Sequence, residues 1–178
     1  MNRPLRDDIL REPFWLALAF LCLAVLTIIG ALAFEHIGGY QPCALCLQER
    51  VPYYLGIPAA GAAVLAAWSR SARPIIVALF VIMAVVTLYN VGLGTYHSGV
   101  EWGWWEGPSS CAPSTTVQSA GSVLESLQSG VHGPSCTEAL WRFAGLSFAG
   151  WNVVVSLILA GLAVCGAYRA YGSSSASQ

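Results

Sequence analysis

The sequence predicts an all-α membrane protein: a four-transmembrane-helix bundle with two extracytoplasmic loops, the second long and carrying a short amphipathic helix. Three observations predict it. Hydrophobic residues make up 56% of the 178 and charged residues only 10%, against roughly 25% charged in a soluble domain. Four apolar runs, at about residues 14–34, 47–68, 75–95 and 148–171, each reach the ~20 residues that cross hydrocarbon at about 1.5 Å per residue. The arginines, finally, fall where a single orientation puts them on one side. The chain 1–178 therefore reads as one integral membrane domain.

The first run follows Arg3, Arg6 and Arg11 and contains Ala31-Leu32-Ala33, which resembles a signal-peptide cleavage site. Its apolar core is longer than the roughly 7 to 15 residues of a signal peptide, so a retained anchor is expected. A short outer loop, about 35–46, ends in Cys43-Ala44-Leu45-Cys46. The second run opens with Gln48-Glu49-Arg50, polar residues that hydrocarbon tolerates only near its edge. Pro52 and Pro58 within it would each free a carbonyl four residues back, kinking the helix and leaving room for a pocket beside Cys46.

A tight link at residues 69–74 carries Arg70 and Arg73 and leads to the third run. The long outer loop, about 96–147, holds Cys111 and Cys136 between the turn signals Gly107-Pro108, Ala112-Pro113 and Gly133-Pro134. Within it Ser114-Thr115-Thr116 can cap a helix whose apolar positions Val117, Ala120, Val123, Leu124 and Leu127 recur near helical spacing. Trp102, Trp104, Trp105, Trp141 and Trp151 cluster at the span ends, as in an interfacial aromatic belt. The fourth run ends near Arg169.

Six of the eight arginines mark one face, which the positive-inside rule makes cytoplasmic. Both termini are then inside, and Cys43, Cys46, Cys111 and Cys136 are outside, where disulfides persist. Four thiols permit three pairings; CxxC spacing favours local closure, leaving Cys111 with Cys136. Cys22 and Cys165 fall inside spans, where cysteine acts as a small hydrophobe. A formal net charge of −1 with no lysine is no footprint for nucleic acid.

Cys43 and Cys46, three residues apart at a helix start, share a face, and the helix N-terminus stabilises a thiolate. Arg50, four residues after Cys46, lies on the same face and would add to that stabilisation. His97, at the outer end of the third span, is placed to donate a hydrogen bond to a carbonyl ligand. Thiol exchange needs an attacking thiolate and a good leaving thiol and requires no metal. The rival readings are a membrane adaptor with a four-Cys zinc site and a structural protein with two disulfides. Zinc sites usually show two close ligand pairs, which Cys111 and Cys136 do not form.

The string from Gln41 to Arg50, a P-C-x-x-C-x-x-E-R pattern, followed by Tyr96-His97, Cys111 and the segment Cys136-Thr137-Glu138-Ala139-Leu140-Trp141, resembles the disulfide-bond-formation protein B (DsbB) family in that order. The resemblance implies a multi-pass protein of the bacterial inner membrane, with periplasmic cysteines. It implies a quinone-dependent thiol oxidoreductase that reoxidises a periplasmic thioredoxin-fold oxidase of the DsbA type and passes the electrons to ubiquinone, with menaquinone as the alternative. By the same resemblance Cys111 is attacked by the partner and Cys136 is its loop mate. Cys43 exchanges with the loop pair, Cys46 contacts the quinone, Arg50 bonds a quinone carbonyl, and His97 lies near the quinone.

Overall fold

The computed structural model describes residues 3–69, 71–111, 136–139 and 141–172. Four long helices dominate it: α1 (Arg3–His36), α2 (Ala44–Trp68), α3 (Arg73–Glu101) and α4 (Phe148–Gly172). All four are long and apolar enough to cross a membrane. They run up, down, up and down, and each packs mainly against its two neighbours in a closed ring. The stretch 114–127, where the amphipathic helix is expected, lies outside the described residues.

Local chemistry sets the helix starts. Cys43, in extended backbone with φ −76° and ψ 171°, caps α2, its Sγ accepting the Cys46 N–H at 3.2 Å. Pro74 stands in the first turn of α3, where its missing N–H costs nothing. Ser147 caps α4 by accepting the Gly150 N–H at 3.2 Å. Three helices carry on past the apolar runs that announce them. α2 begins three residues earlier, so Cys46 is helical, α1 reaches His36, and α3 runs to Glu101, taking in Tyr96 and His97.

One element departs from the all-helical expectation. Arg142–Phe143 (β1) and Leu146–Ser147 (β2) pair antiparallel, Arg142 opposite Ser147. The two residues between them, Ala144 and Gly145, have φ of 52° and 83°, the left-handed pair that a tight hairpin of this twist needs. An Ala-Gly turn carries little of the usual Asn-Gly signal, so the hairpin is hard to read from sequence. It delivers the chain directly into α4 and holds Trp141 and Phe143 beside the end of α1.

Small residues let the helices approach. Ala17 and Ala24 of α1, Ala60, Ala63 and Ala67 of α2, and Ala163 and Ala170 of α4 are buried around Phe20, Phe80, Met83 and Leu159. Gly166 lies against the Phe80 ring so closely that no Cβ fits between them. Large side chains such as Leu55, Leu65, Val85, Leu88 and Leu157 point outward. Packing through small residues with large apolar ones outside is the arrangement expected where lipid is the solvent. Cys22 and Cys165 also lie on the outer surface.

Candidate functional site

The four predicted cysteines meet at one end of the bundle, where α1 and α3 finish and α2 and α4 begin. Cys43 and Cys46 are free thiols with sulfurs 2.7 Å apart. Cys111 and Cys136 form a disulfide with Cα atoms 5.3 Å apart. Cys43, Leu45, Val100, Cys111 and Cys136 are packed into one buried cluster. Cys43 Sγ, a His97 ring nitrogen and Cys136 Sγ all lie within 4.8 Å of one another. Cys136 is thus the loop cysteine whose sulfur reaches the CxxC. Its bond to Cys111 removes two of the four thiolates that a four-Cys zinc site requires.

The thiol that the helix start favours is Cys43, since its own sulfur takes the free Cys46 amide. The Cys46 thiol donating to it holds the Cys43 thiol well below its ordinary value, at about 4, against burial, which pushes it up. His97, with Nε2 3.6 Å from the sulfur, and the Cys46 amide add to the lowering. Arg50, expected to stabilise Cys46, has its guanidinium bonded at 2.6 Å to Glu35 of α1.

Behind Cys43 a chain of polar side chains runs into the bundle. His97 Nδ1 lies 2.7 Å from Glu49 Oε1, and the other carboxylate oxygen accepts from Asn152 Nδ2 at 2.9 Å. Asn152 Oδ1 in turn accepts from Tyr53 OH at 2.7 Å and from Asn90 Nδ2 at 3.2 Å, and Asn90 also reaches Ser156 Oγ at 3.0 Å. Glu101, whose carboxylate lies 4.0 Å from His97 Nε2, is held by the hydroxyl of Ser147. His97, Glu49, Asn90 and Ser156 are all buried, and buried ionisable groups within a span are expensive unless paired in this way.

Beside the pair opens a cavity of about 460 Å³ between α1, the start of α2 and the start of α4. Its walls are largely apolar, with Leu26, Ile28, Phe34 and Phe148 among them; Trp141 and Trp151 form its aromatic side. Trp141 stacks on Phe148 at 4.9 Å between ring centroids, and Trp151 Nε1 donates to the Phe143 carbonyl at 3.1 Å. The polar groups that reach it are Gln41, Glu49, Arg50 with its partner Glu35, Tyr53 and Asn152, together with the thiol of Cys46.

The residues singled out from sequence therefore divide. Cys46 and Arg50 line the cavity; Cys43 and His97 do not, and His97 faces Cys43 and Glu49 instead. Two of the five belt tryptophans, Trp141 and Trp151, line the cavity, whereas Trp102, Trp104 and Trp105 lie in the segment after α3. Glu49, Asn90, Tyr53 and Asn152 were not assigned roles by sequence reasoning. Their signal was present: each is a polar side chain inside a run otherwise built from apolar ones.

Comparison with known proteins points the same way. A family profile described as "Disulfide bond formation protein DsbB" matches residues 11–166. A Nitrosococcus oceani protein named Disulfide bond formation protein B is 28% identical over 143 residues, covering 79% of this chain and 81% of that protein. An uncharacterized protein of Rickettsia prowazekii is 25% identical over 146 residues, covering 81% of each. No solved structure matches the chain at comparable stringency.

Proposed function

From the premise that this chain belongs to the DsbB family, and so is a multi-pass membrane oxidoreductase of disulfide formation, we propose that it oxidises a DsbA-like thioredoxin-fold protein of the periplasm and delivers the electrons to a quinone. The observation that carries the reading is the position of the CxxC. Cys43 Sγ is within 4.8 Å of Cys136 Sγ, and Cys46 lines the aromatic cavity. The dithiol stands between a source of electrons and a place for their acceptor.

The cavity suits a quinone by its chemistry. Apolar and aromatic walls match a planar ring with an isoprenoid tail, and Arg50 and Asn152 supply N–H groups for ring oxygens. A bound quinone would supply a two-electron, two-proton acceptor. Arg50, fixed by Glu35, would hold positive charge where negative charge develops. Ubiquinone and menaquinone both meet this description.

The protein's own steps follow from thiol exchange. The partner's thiolate attacks Cys111, opening the Cys111–Cys136 bond and releasing Cys136 as the leaving thiol. Closure of the partner's disulfide then leaves Cys111 and Cys136 reduced. Cys136 attacks the oxidised CxxC at Cys43 and releases Cys46; Cys111 then attacks Cys136 in that mixed disulfide, re-forming the loop bond and releasing Cys43, whose low value suits it as the leaving thiolate. Cys46 is left as the thiol facing the cavity. The proposed setting is the bacterial inner membrane, with this end of the bundle in the periplasm and both termini in the cytoplasm, as the arginines indicate.

The test is quinone reduction by purified protein in detergent, supplied with a reduced thioredoxin-fold partner. Turnover is expected with the native chain and none with the Cys43→Ser, Cys46→Ser double variant; equal turnover in both would overturn the reading. With Cys136→Ala and a partner lacking its resolving thiol, a mixed disulfide at Cys111 should appear on a non-reducing gel. An adduct that survives Cys111→Ala but is lost in Cys136→Ala would reverse the two loop roles.

A further inference from the structure

We propose that His97 and Glu49 form a buried proton relay that carries the proton given up by Cys43 to the cavity face of Glu49. The path is continuous: Cys43 Sγ to His97 Nε2, 3.6 Å; His97 Nδ1 to Glu49 Oε1, 2.7 Å; and Glu49 itself on the cavity wall. Imidazole can take a proton at one nitrogen and release one from the other. His97 is 2% exposed and does not reach the cavity, whereas Glu49 does. Glu49 is fixed for the task, because Asn152 holds its second oxygen at 2.9 Å.

The relay closes the proton balance of the dithiol. The reduced pair accounts for two protons, one on the Cys46 sulfur and one that Cys43, already a thiolate, has passed to His97 and Glu49; when the disulfide forms, the Cys46 S–H bond breaks, one S–S bond forms, and two electrons and both protons must reach the acceptor. Cys46 lines the cavity and releases its proton there directly. Cys43 is buried, and the groups around it lead through His97 to Glu49. Among the described residues, the titratable and charged groups facing the relay are Cys43, Cys46 and Tyr53 on α2, Glu101 on α3 with Arg142 near it, Cys136 beside His97, and the Arg50–Glu35 pair across the cavity; α4 brings the neutral Asn152. Glu101 is the competitor for His97, but it lies 4.0 Å from Nε2 and is not on the cavity wall.

The identity of the final acceptor rests on the quinone reading; the proton path from Cys43 to Glu49 does not. The experiment therefore uses quinone-free protein in detergent and records infrared difference spectra between the reduced and oxidised CxxC, cycled with a small dithiol and a small disulfide. A redox-dependent carboxyl band is expected, shifted by isotope-labelled glutamate, absent in Glu49→Gln, displaced to an aspartate position in Glu49→Asp, diminished in His97→Gln and retained in Glu101→Gln. A carboxylate that only positioned His97 would keep one protonation state through the cycle. Absence of a glutamate band from labelled native protein, or a band that survives Glu49→Gln and vanishes in Glu101→Gln, would overturn the relay. In the quinone assay Glu49→Gln should slow turnover by roughly 10²-fold or more, while mixed-disulfide trapping at the loop pair is unchanged. If native protein fails to reduce any quinone yet shows the Glu49 band, the acceptor reading falls and the relay stands.

Discussion

Each end of the bundle carries an arginine bonded at 2.6 Å to a glutamate of α1, and the two pairs sit in very different company. At the start of α2, Arg50 and Glu35 are 13% and 25% exposed and line a cavity next to a thiol. At the far end Arg169 and Glu12 are 53% and 57% exposed, and the core of that half holds alanines, Phe80 and, against its ring, Gly166. At the first end nearly every helix contributes a buried polar group: Glu49 from α2, His97 and Asn90 from α3, Ser156 from α4. At the second, small residues and one tight glycine do the joining. Polar side chains in a membrane interior weaken a fold unless satisfied, so their concentration at one end fits the chemistry proposed there and leaves the other end to hold the helices.

Two substitutions would break this division if it were false. Replacing Cys46, at the active end, by serine is expected to abolish turnover, a loss beyond about 10³-fold because no thiolate remains to complete the pair, with the unfolding midpoint in detergent nearly unmoved. Gly166→Leu at the far end should do the reverse. A side chain forced against Phe80, where not even a Cβ fits, overpacks the core at a cost of about 1–3 kcal/mol. The thermal midpoint should fall while turnover per folded molecule stays near native. Loss of turnover in Gly166→Leu protein that remains folded would show that the two ends are mechanically coupled.

The far end was the more legible in sequence, because an apolar run of about 20 residues announces a span whatever its neighbours are. At the active end the cysteines were legible as types, since Pro42-Cys43-x-x-Cys46 marks a capped helix start. Their partners were not. α3 continues past the expected boundary near residue 95 because Tyr96, His97 and Glu101 find partners: the Tyr96 hydroxyl on the Glu106 carbonyl, His97 on Glu49, and Glu101 on Ser147. Hydropathy, blind to pairing, reads those residues as loop. Helical spacing alone set Arg50 on the face of Cys46, four residues back; its ion pair with Glu35 of another helix could not be read that way. Trp141 and Trp151 read as belt because only the Ala144-Gly145 hairpin turns Trp141 onto the cavity.

Titration of the reduced CxxC sharpens the comparison by showing how far the active end alters a thiol. The value for Cys43 is lowered from 9.0 to about 4, so the folded reduced protein binds fewer protons there than the unfolded chain between those limits. The resulting stabilisation is fully present above the unfolded value and is lost as pH falls through about 4. Thiolate absorbance in the ultraviolet should accordingly stay level from neutral pH to about 5 and decline below it. Cys46→Ala removes the hydrogen bond that contributes most and should move the decline upward. An unshifted decline would assign the lowering to His97 instead.

The two arginine pairs set equal distance against unequal burial, and one of them carries the smallest effect expected. Glu35→Gln leaves Arg50, 13% exposed, without its carboxylate, and a charge-assisted hydrogen bond in that setting is worth about 1.5–3 kcal/mol. Glu12→Gln breaks a bond of the same 2.6 Å length between side chains more than half exposed, where water and salt screen the charges. That loss should stay below about 0.5 kcal/mol, and only the Glu12→Gln difference should shrink further on adding salt. Denaturation of both variants at low and high ionic strength reads the contrast directly. Equal losses would mean that distance, and not the surroundings of the charge, sets the strength of an ion pair in this bundle.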